Sequence, residues 1–259
     1  VSDDEVGAIY ERRISALKEW FDSGEETFTQ EEKDFMIQKY EDLETPFYYE
    51  YMDGWAALLQ NISTFILILA LVIGFFVSGI FSDEFQAKAD SIFFSTRFGR
   101  SRGISAKVGA GFCITTGFYV IFVLLYTFIV LFVLGVDGAN CPIQLDLWRS
   151  VYNITFLQAY LFIVLGGYIG TIFASTLAML VSALTRSTPT AIIVPFIVLC
   201  AFPFLSRIIT LPGLCSFFPD QLLEIYLDIK EAGLVTLGGK VTTIATVIVP
   251  VYAVICLIL

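Results

Sequence analysis

Residues 62–81 read ISTFILILALVIGFFVSGIF, a stretch of 20 residues without one acidic or basic side chain. The hydrocarbon core of a bilayer is crossed by a helix of about 20 apolar residues. A helix also pairs all of its own backbone groups, which lipid cannot do for it. The stretch therefore predicts a transmembrane helix, and it decides the class of protein.

Four further charge-poor stretches follow it in the chain. They are residues 108–136, a segment within 150–185, residues 187–206 and residues 241–259. The segment within 150–185 has two interpretations, one long tilted helix with an interfacial lead-in or a helix broken near Gly166 and Gly167. We therefore predict an all-α integral membrane protein with five transmembrane helices in this chain.

Composition supports a lipid environment. The 259 residues are 57% hydrophobic and 15% charged, with a mean hydropathy of +0.79, whereas soluble domains carry roughly 25% charged residues. Residues 1–53 hold 16 of the 25 acidic and 5 of the 15 basic residues, a net charge of −11, and the rest of the chain carries +1. An acidic segment therefore precedes a nearly neutral membrane body, and nucleic-acid binding, which needs a basic surface, is excluded.

The acidic segment has the pattern of a helical hairpin. Apolar residues recur at helical spacing from Val6 to Phe21, and Ser23-Gly24 interrupts them. Thr29 with Glu32 three residues later predicts a capping box that opens a second helix, which Pro46 ends. We predict a hairpin domain over residues 1–55 and a transmembrane domain over residues 56–259.

Basic residues set the predicted orientation. The loop of residues 82–107 has the largest basic cluster, and the loop 185–189 holds Arg186 without an acid. Because basic loops stay in the cytoplasm, both are predicted to be cytoplasmic and the hairpin of residues 1–55 extracellular. An external start without a visible signal peptide favours one more helix before Val1, which gives six in the full subunit. The basic cluster comprises Lys88, Arg97, Arg100, Arg102 and Lys107.

Several kinds of chemistry are missing from the sequence. It has no histidine, no Cys-x-x-Cys pair and no GxxxxGK[ST] phosphate loop. We therefore predict no catalytic residue, no metal site and no cofactor in this chain. The five spans also lack the ionisable groups that ion-coupled carriers need at depth, which favours an external source of energy.

Residues 81–107 read FSDEFQAKADSIFFSTRFGRSRGISAK. An acidic residue, Glu84, ends the first span; a short part-apolar, basic stretch with Phe98-Gly99-Arg100 follows; and Ala106-Lys107 opens the next span. In this order of features, and in Pro219-Asp220-Gln221 before the last span, the chain resembles the ABC-2 type transporter permeases, particularly Firmicutes members with an extracellular domain between their first two helices. The bland interpretation is a basic loop lying on anionic lipid.

The resemblance implies a multi-pass subunit of the bacterial plasma membrane that exports a substrate. It implies ATPase partner subunits that bind ATP and Mg²⁺, and a second permease copy or a sister permease. It also implies that residues 84–107 form a cytoplasmic coupling helix that contacts the ATPase. The residues that carry this role would be Glu84, Phe98, Gly99, Arg100, Arg102 and Lys107. The substrate-binding residues stay unknown.

Two further features are packing and thiols. Gly166, Gly170, Ala174 and Ala178 form a ridge of small residues that favours close helix packing, either inside one subunit or in a dimer. Cys141 and Cys215 both fall in predicted external loops and could form a disulfide or stay as thiols. The competing functions are a non-transporting sensor or partner-binding protein with an extracellular ligand-binding head, and an intramembrane enzyme, which the missing histidine disfavours.

Overall fold

A computed structural model describes residues 3–23, 28–43, 46–89, 95, 102–200 and 215–258, except for the side chains of 3–11 and 215. The described chain is mostly helical. Its helices are α1 (Asp3–Ser23), α2 (Gln30–Glu41), α3 (Asp53–Gln86), α4 (Ile104–Leu134), α5 (Phe156–Thr185), α6 (Thr188–Cys200), α7 (Ile225–Glu231) and α8 (Ile244–Ile258), and its strands are β1 (Leu234–Leu237) and β2 (Lys240–Thr243). Short 3₁₀ turns lie at Ile143–Leu145, Cys215–Phe217 and Pro219–Leu222.

Three helices are long and apolar enough to cross a bilayer. They are α3, α4 and α5, with 34, 31 and 30 residues and peak mean hydropathies of 2.7, 2.7 and 1.9. At 1.5 Å per residue each is at least about 45 Å long, more than the roughly 30 Å of hydrocarbon. Three of the five predicted spans are therefore helices with the length and composition to cross a membrane, as expected for a membrane protein.

The other two predicted spans are shorter apolar helices. The helix α6 has 13 residues, and the described residues stop at its end and resume at residue 215. The predicted span 241–259 begins in strand β2, and its helix α8 has only 15 residues. Five complete spans therefore remain a prediction.

The long uncharged segment resolves into a single helix. Residues 151–154 form no regular secondary structure, and Thr155, in an extended conformation, caps α5 through a capping box with Gln158. The helix then continues without a break through Gly166 and Gly167 to Thr185. The interpretation with one long helix and a lead-in is thus correct, and the broken helix is wrong.

The prediction of an all-α chain missed one antiparallel hairpin. Strands β1 and β2 pair with Leu237 opposite Lys240, and Gly238 and Gly239 form the turn. Both glycines have positive φ, +58° and +79°, the conformation that a two-residue type I′ turn requires. A Gly-Gly pair between the runs LVTL and KVTT, both rich in β-branched residues, is the sequence signal for this element.

The acidic N-terminal segment forms the predicted pair of helices. Thr29 caps α2 in a reciprocal capping box with Glu32. Leu17, Trp20 and Met36 are buried in one cluster with Val151 of the α4–α5 loop and Ala232 after α7. Residues 3–23 and 28–43, which we call the head, therefore pack directly on the membrane body.

The bundle is built around α3, which contacts α4, α5 and α6. Trp55 at the start of α3 donates a hydrogen bond to the carbonyl of Val136 after α4, and Lys107 near the start of α4 pairs with Glu84 near the end of α3. The two helices are therefore antiparallel. We call the two ends of the bundle the head end, at Trp55, and the Lys107 end.

Candidate functional site

The Lys107 end is held by an ion pair across the α3–α4 connection. Lys107 Nζ lies 2.7 Å from Glu84 Oε1 and 2.8 Å from the carbonyl oxygen of Ile80, to which it donates. The same ammonium lies 5.3 Å from the ring centre of Phe81. The Lys107 and Glu84 side chains are 18% and 28% exposed, so water screens the pair only in part. The pair fixes the spacing between the two ends of the connecting segment.

A second polar contact set joins α3 to the α5–α6 junction at the same end. Thr188 Oγ1 lies 2.6 Å from Ser82 Oγ, and it accepts a bond from Gln86 Nε2 at 2.9 Å. Thr188 also contacts Asp83 Oδ1 at 3.1 Å. Four helix ends, those of α3, α4, α5 and α6, are therefore tied together at this level of the bundle.

Arg186 completes this end. It is the C-cap of α5 in the left-handed conformation, with φ of 56°, and its guanidinium lies 4.6 Å from the ring centre of Phe85. The two loops that the positive-inside rule assigns to the cytoplasm therefore start and end on the same face of the molecule, opposite the acidic head. This agrees with the predicted charge distribution, and the side of the membrane remains a prediction.

The structure brings together two of the residues predicted to contact an ATPase, Glu84 and Lys107. Arg102 lies exposed just before α4. Phe98, Gly99 and Arg100 lie outside the described residues. The coupling helix over residues 84–107 therefore stays a prediction. The first residues of this range, up to Gln86, belong to α3.

The small-residue ridge on α5 is covered within this chain. A Cβ on Gly166 would meet Ile225 Cδ1 at 2.0 Å, and a Cβ on Gly170 would meet Leu223 Cδ2 at 2.9 Å. Ala174 and Ala178 are also buried. The ridge lets α5 approach the 219–225 segment and its neighbouring helices, which is packing inside one subunit.

The segment that carries Pro219-Asp220-Gln221 reaches deeper into the bundle than the sequence predicts. It contacts α5, α6 and α8, and Leu222 lies against Gly170, near the midpoint of the 30-residue α5. Asp220 is 4% exposed, and its Oδ1 has no hydrogen-bond partner among the described residues. The prediction that the spans lack ionisable groups concerned the spans alone, and Asp220 is a buried carboxyl in a connecting segment that packs against them.

Asp228 organises the head end. Its Oδ2 accepts hydrogen bonds from Tyr152 Oη at 2.6 Å and from the N–H of Ala245 at 3.0 Å, in the first turn of α8. Burial raises the pKa of Asp228 from its ordinary 3.8 to about 6, although both hydrogen bonds lower it. One carboxylate thus links α7, the α4–α5 loop and the start of α8.

Cys141 is buried, and its Sγ accepts a hydrogen bond from the backbone N–H of Glu50 at 3.2 Å. Its thiol is free in this structure. The side chain of Cys215 lies outside the described residues, so the disulfide stays a prediction. Within the described ranges, no three cysteines and carboxylates gather in a group that could hold a metal ion.

Comparison with known proteins adds no family. No family model, curated protein or solved structure matches this chain. The resemblance to ABC-2 type permeases therefore rests on the residues quoted above, and function must be argued from the geometry.

Proposed function

We propose that this chain is the membrane permease subunit of a transporter whose energy comes from a separate ATPase. The observation that carries the proposal is the Glu84–Lys107 ion pair. It ties both ends of a basic, part-apolar segment to the two long helices α3 and α4. A force applied to that segment would therefore move α3 and α4 together, as an energy-coupling element requires.

The proposed mechanism uses rigid-body motion. ATP and Mg²⁺ would bind in the partner ATPase subunits, and closure of those subunits would press on the segment of residues 84–107. The Thr188 contacts with Ser82, Gln86 and Asp83 extend the same rigid end to α5 and α6. Movement of packed helices against a second permease would then switch the cavity between them from one side of the bilayer to the other.

The face of α4 is a suitable surface for the second permease. Only 11% of the apolar window of α4 is buried within this chain, against 39% for α3 and 50% for α5. No described atom lies within 4 Å of a Cβ placed on Gly109 or Gly117, and Cys113 between them is exposed. Small residues on an open helix face permit close approach of another helix in lipid.

Cys113 also supplies the test of this contact. In a homodimer through α4, oxidation with copper phenanthroline in native membranes gives a disulfide-linked dimer that reducing agent dissolves. The variant Cys113→Ser gives no such dimer. A wild-type chain that stays monomeric under these conditions contradicts a homodimer through this face and leaves a sister permease as the partner.

The second candidate is a ligand-binding membrane protein without transport, and one observation favours it. A cavity of about 490 Å³ lies between the head and the membrane body, with Tyr48, Asn140, Gln144 and Asn153 among its lining residues. Gln144 is 3% exposed, and its Oε1 accepts no hydrogen bond from the part of the chain that the structure describes. A polar ligand with a donor group could satisfy that oxygen.

Purification separates the two candidates. The tagged chain is extracted from its native membrane in mild detergent, and the associated proteins are identified by mass spectrometry. The permease proposal predicts a stoichiometric ATPase whose hydrolysis is inhibited by vanadate. If the chain purifies without any ATPase, under extraction conditions that keep other membrane complexes intact, the permease proposal is contradicted and the second candidate is favoured.

A further inference from the structure

A half-open cavity of about 470 Å³ lies between α3, α4, α5 and α8, with the exposed side chains of Phe112 and Leu257 among its lining residues. Such a volume is within the range of small-molecule sites, roughly 300–1,000 Å³. Its walls are mostly apolar, and none of the lining residues that the structure describes is acidic or basic. The apolar walls include Phe81, Val108, Phe112, Ile172, Met179 and Leu257.

The cavity lies in the half of the bundle nearer the Lys107 end. Val108 and Phe81, beside the Glu84–Lys107 pair, form one limit of it. Thr115 lies eight residues beyond Lys107 on α4, which is about 12 Å along the helix axis. Its contents are therefore in the apolar part of the membrane, within one leaflet.

Two hydroxyl groups in the wall have no partner. Thr115 and Ser175 are 0% and 1% exposed, and neither Oγ atom has a hydrogen-bond partner in the described parts of the chain. Both residues line the cavity, but neither oxygen is open to it, so a ligand meets these hydroxyls only after their side chains rotate toward the cavity. A buried hydroxyl left unpaired costs about 1–3 kcal/mol, so such groups are expected to meet a ligand or water.

Other hydroxyls in the same helices show the usual solution. Thr176 Oγ1 donates to the carbonyl of Ile172 at 2.9 Å, and Thr171 Oγ1 donates to that of Gly167 at 2.8 Å. These bonds to the preceding turn satisfy a hydroxyl in lipid without a ligand. Thr115 and Ser175 do not make them, although Thr176, their neighbour in the wall, does.

We propose that this cavity binds a neutral, lipid-soluble molecule that has an aliphatic body and one hydrogen-bonding group, such as a hydroxyl or an ester carbonyl. The apolar walls take the aliphatic body, and Thr115 and Ser175 take the polar group. The described lining residues carry no charge, which argues against a carboxylate or an amine as that group, because an unpaired charge there would be costly. The proposal does not depend on the permease function.

The test uses a long-chain alcohol with a diazirine on its aliphatic chain. The full chain is reconstituted in phosphatidylcholine vesicles and irradiated, and the labelled peptides are identified by mass spectrometry. The expected labels lie in 108–115 and 175–183. They saturate with probe concentration, and an excess of unlabelled dodecanol removes them.

Matched variants test the two hydroxyls. Thr115→Val and Ser175→Ala each weaken saturable binding about fivefold, the factor for one net hydrogen bond. Thr176 lines the same cavity, but its hydroxyl is already paired with a backbone carbonyl. Thr176→Val therefore leaves binding unchanged. The effect of Ser175→Ala alone decides the question if Thr115→Val does not fold.

The source of the ligand is separated by competition. If dioleoylglycerol removes the label at lower concentrations than dodecanol does, the ligand is a bilayer lipid. If dodecanol removes the label at lower concentrations, the ligand is a free amphiphile. Both orders support the site. Labelling that does not saturate, or equal binding by Ser175→Ala and the wild type, shows that the cavity holds only water or bulk lipid and overturns the proposal.

Discussion

Lys107 Nζ and Glu84 Oε1 lie 2.7 Å apart, and this contact joins the first turn of α4 to the last turn of α3. The two residues are separated by 23 positions in the chain, so the pair closes a loop rather than bracing one helix. Because it also fixes Lys107 against Ile80 and Phe81, the geometry of the Lys107 end depends on it.

Breaking the pair should loosen this end of the bundle. Glu84→Gln keeps the size of the side chain and removes the charge, and we expect it to lower the free energy of unfolding by about 1 kcal/mol because the pair is partly exposed. The measurement is the thermal midpoint of the purified protein in detergent. A double-mutant cycle with Lys107→Met isolates the pair, and strictly additive losses would show that Lys107 acts through Ile80 and Phe81 alone.

A bulky residue at Gly170 should disrupt the 219–225 segment. Gly170→Leu places its side chain where Leu222 and Leu223 lie within 3.2 Å of the new Cβ, and overpacking of this kind costs about 1–3 kcal/mol. Gly74→Leu is the control, since no described atom lies within 4 Å of a Cβ there. Equal stability of the two variants would contradict the close approach of α5 to that segment.

The buried carboxyl of Asp228 should make stability depend on pH. Its pKa of about 6 in the folded chain lies above the ordinary 3.8. Between these two pH values the folded state holds a proton that the unfolded state has already lost. Its contribution to stability is full below pH 4 and is lost as the pH rises through 6. The difference corresponds to up to about 3 kcal/mol.

Asp228→Asn removes this titration and keeps an oxygen that can accept from Tyr152 or Ala245. We therefore expect the stability of the wild type relative to Asp228→Asn to decrease between pH 4.5 and pH 7.5, measured by thermal unfolding. Asp146→Asn, at an exposed site in the α4–α5 loop, is the control for the removal of one carboxylate. A difference that grows with pH would mean that Asp228 is stabilised as a carboxylate.

The orientation can be tested by labelling on intact cells. In a variant without its native cysteines, Ser23→Cys in the head should react with an impermeant maleimide, and Ser101→Cys should react only after the cells are opened. Ser23 is exposed. Reaction at Ser101→Cys alone on intact cells would invert the proposed topology.

Local sequence signals predicted the local structure well. The capping box of Thr29 and Glu32 and the long apolar stretch of α3 appear as expected, because both depend on residues within a few turns of each other. The β1–β2 hairpin had an equally local signal in Gly238-Gly239 that the all-α interpretation overlooked.

The depth of Asp220 and the pairing of Tyr152 with Asp228 depend on residues far apart in the chain. Tyr152 and Asp228 are 76 positions apart, and the contact between Leu222 and Gly170 forms only when α5, α6 and α8 enclose the segment. Hydropathy and spacing carry no information on such contacts. For the same reason the cavity beside Thr115 and Ser175 could not be predicted from its residue types.

The most direct test of the central claim is the ATPase activity of the purified complex with a charge placed in the proposed coupling segment. Phe98→Asp adds one carboxylate to residues 84–107, and Tyr49→Asp adds one to a side chain that is 70% exposed at the head end. If residues 84–107 couple this permease to an ATPase, Phe98→Asp inserts normally, but the amount of co-purified ATPase and the rate of substrate-stimulated hydrolysis fall at least tenfold. Tyr49→Asp retains both. If Phe98→Asp inserts normally and matches the wild type in both, the segment is an ordinary basic loop and the proposed function is contradicted.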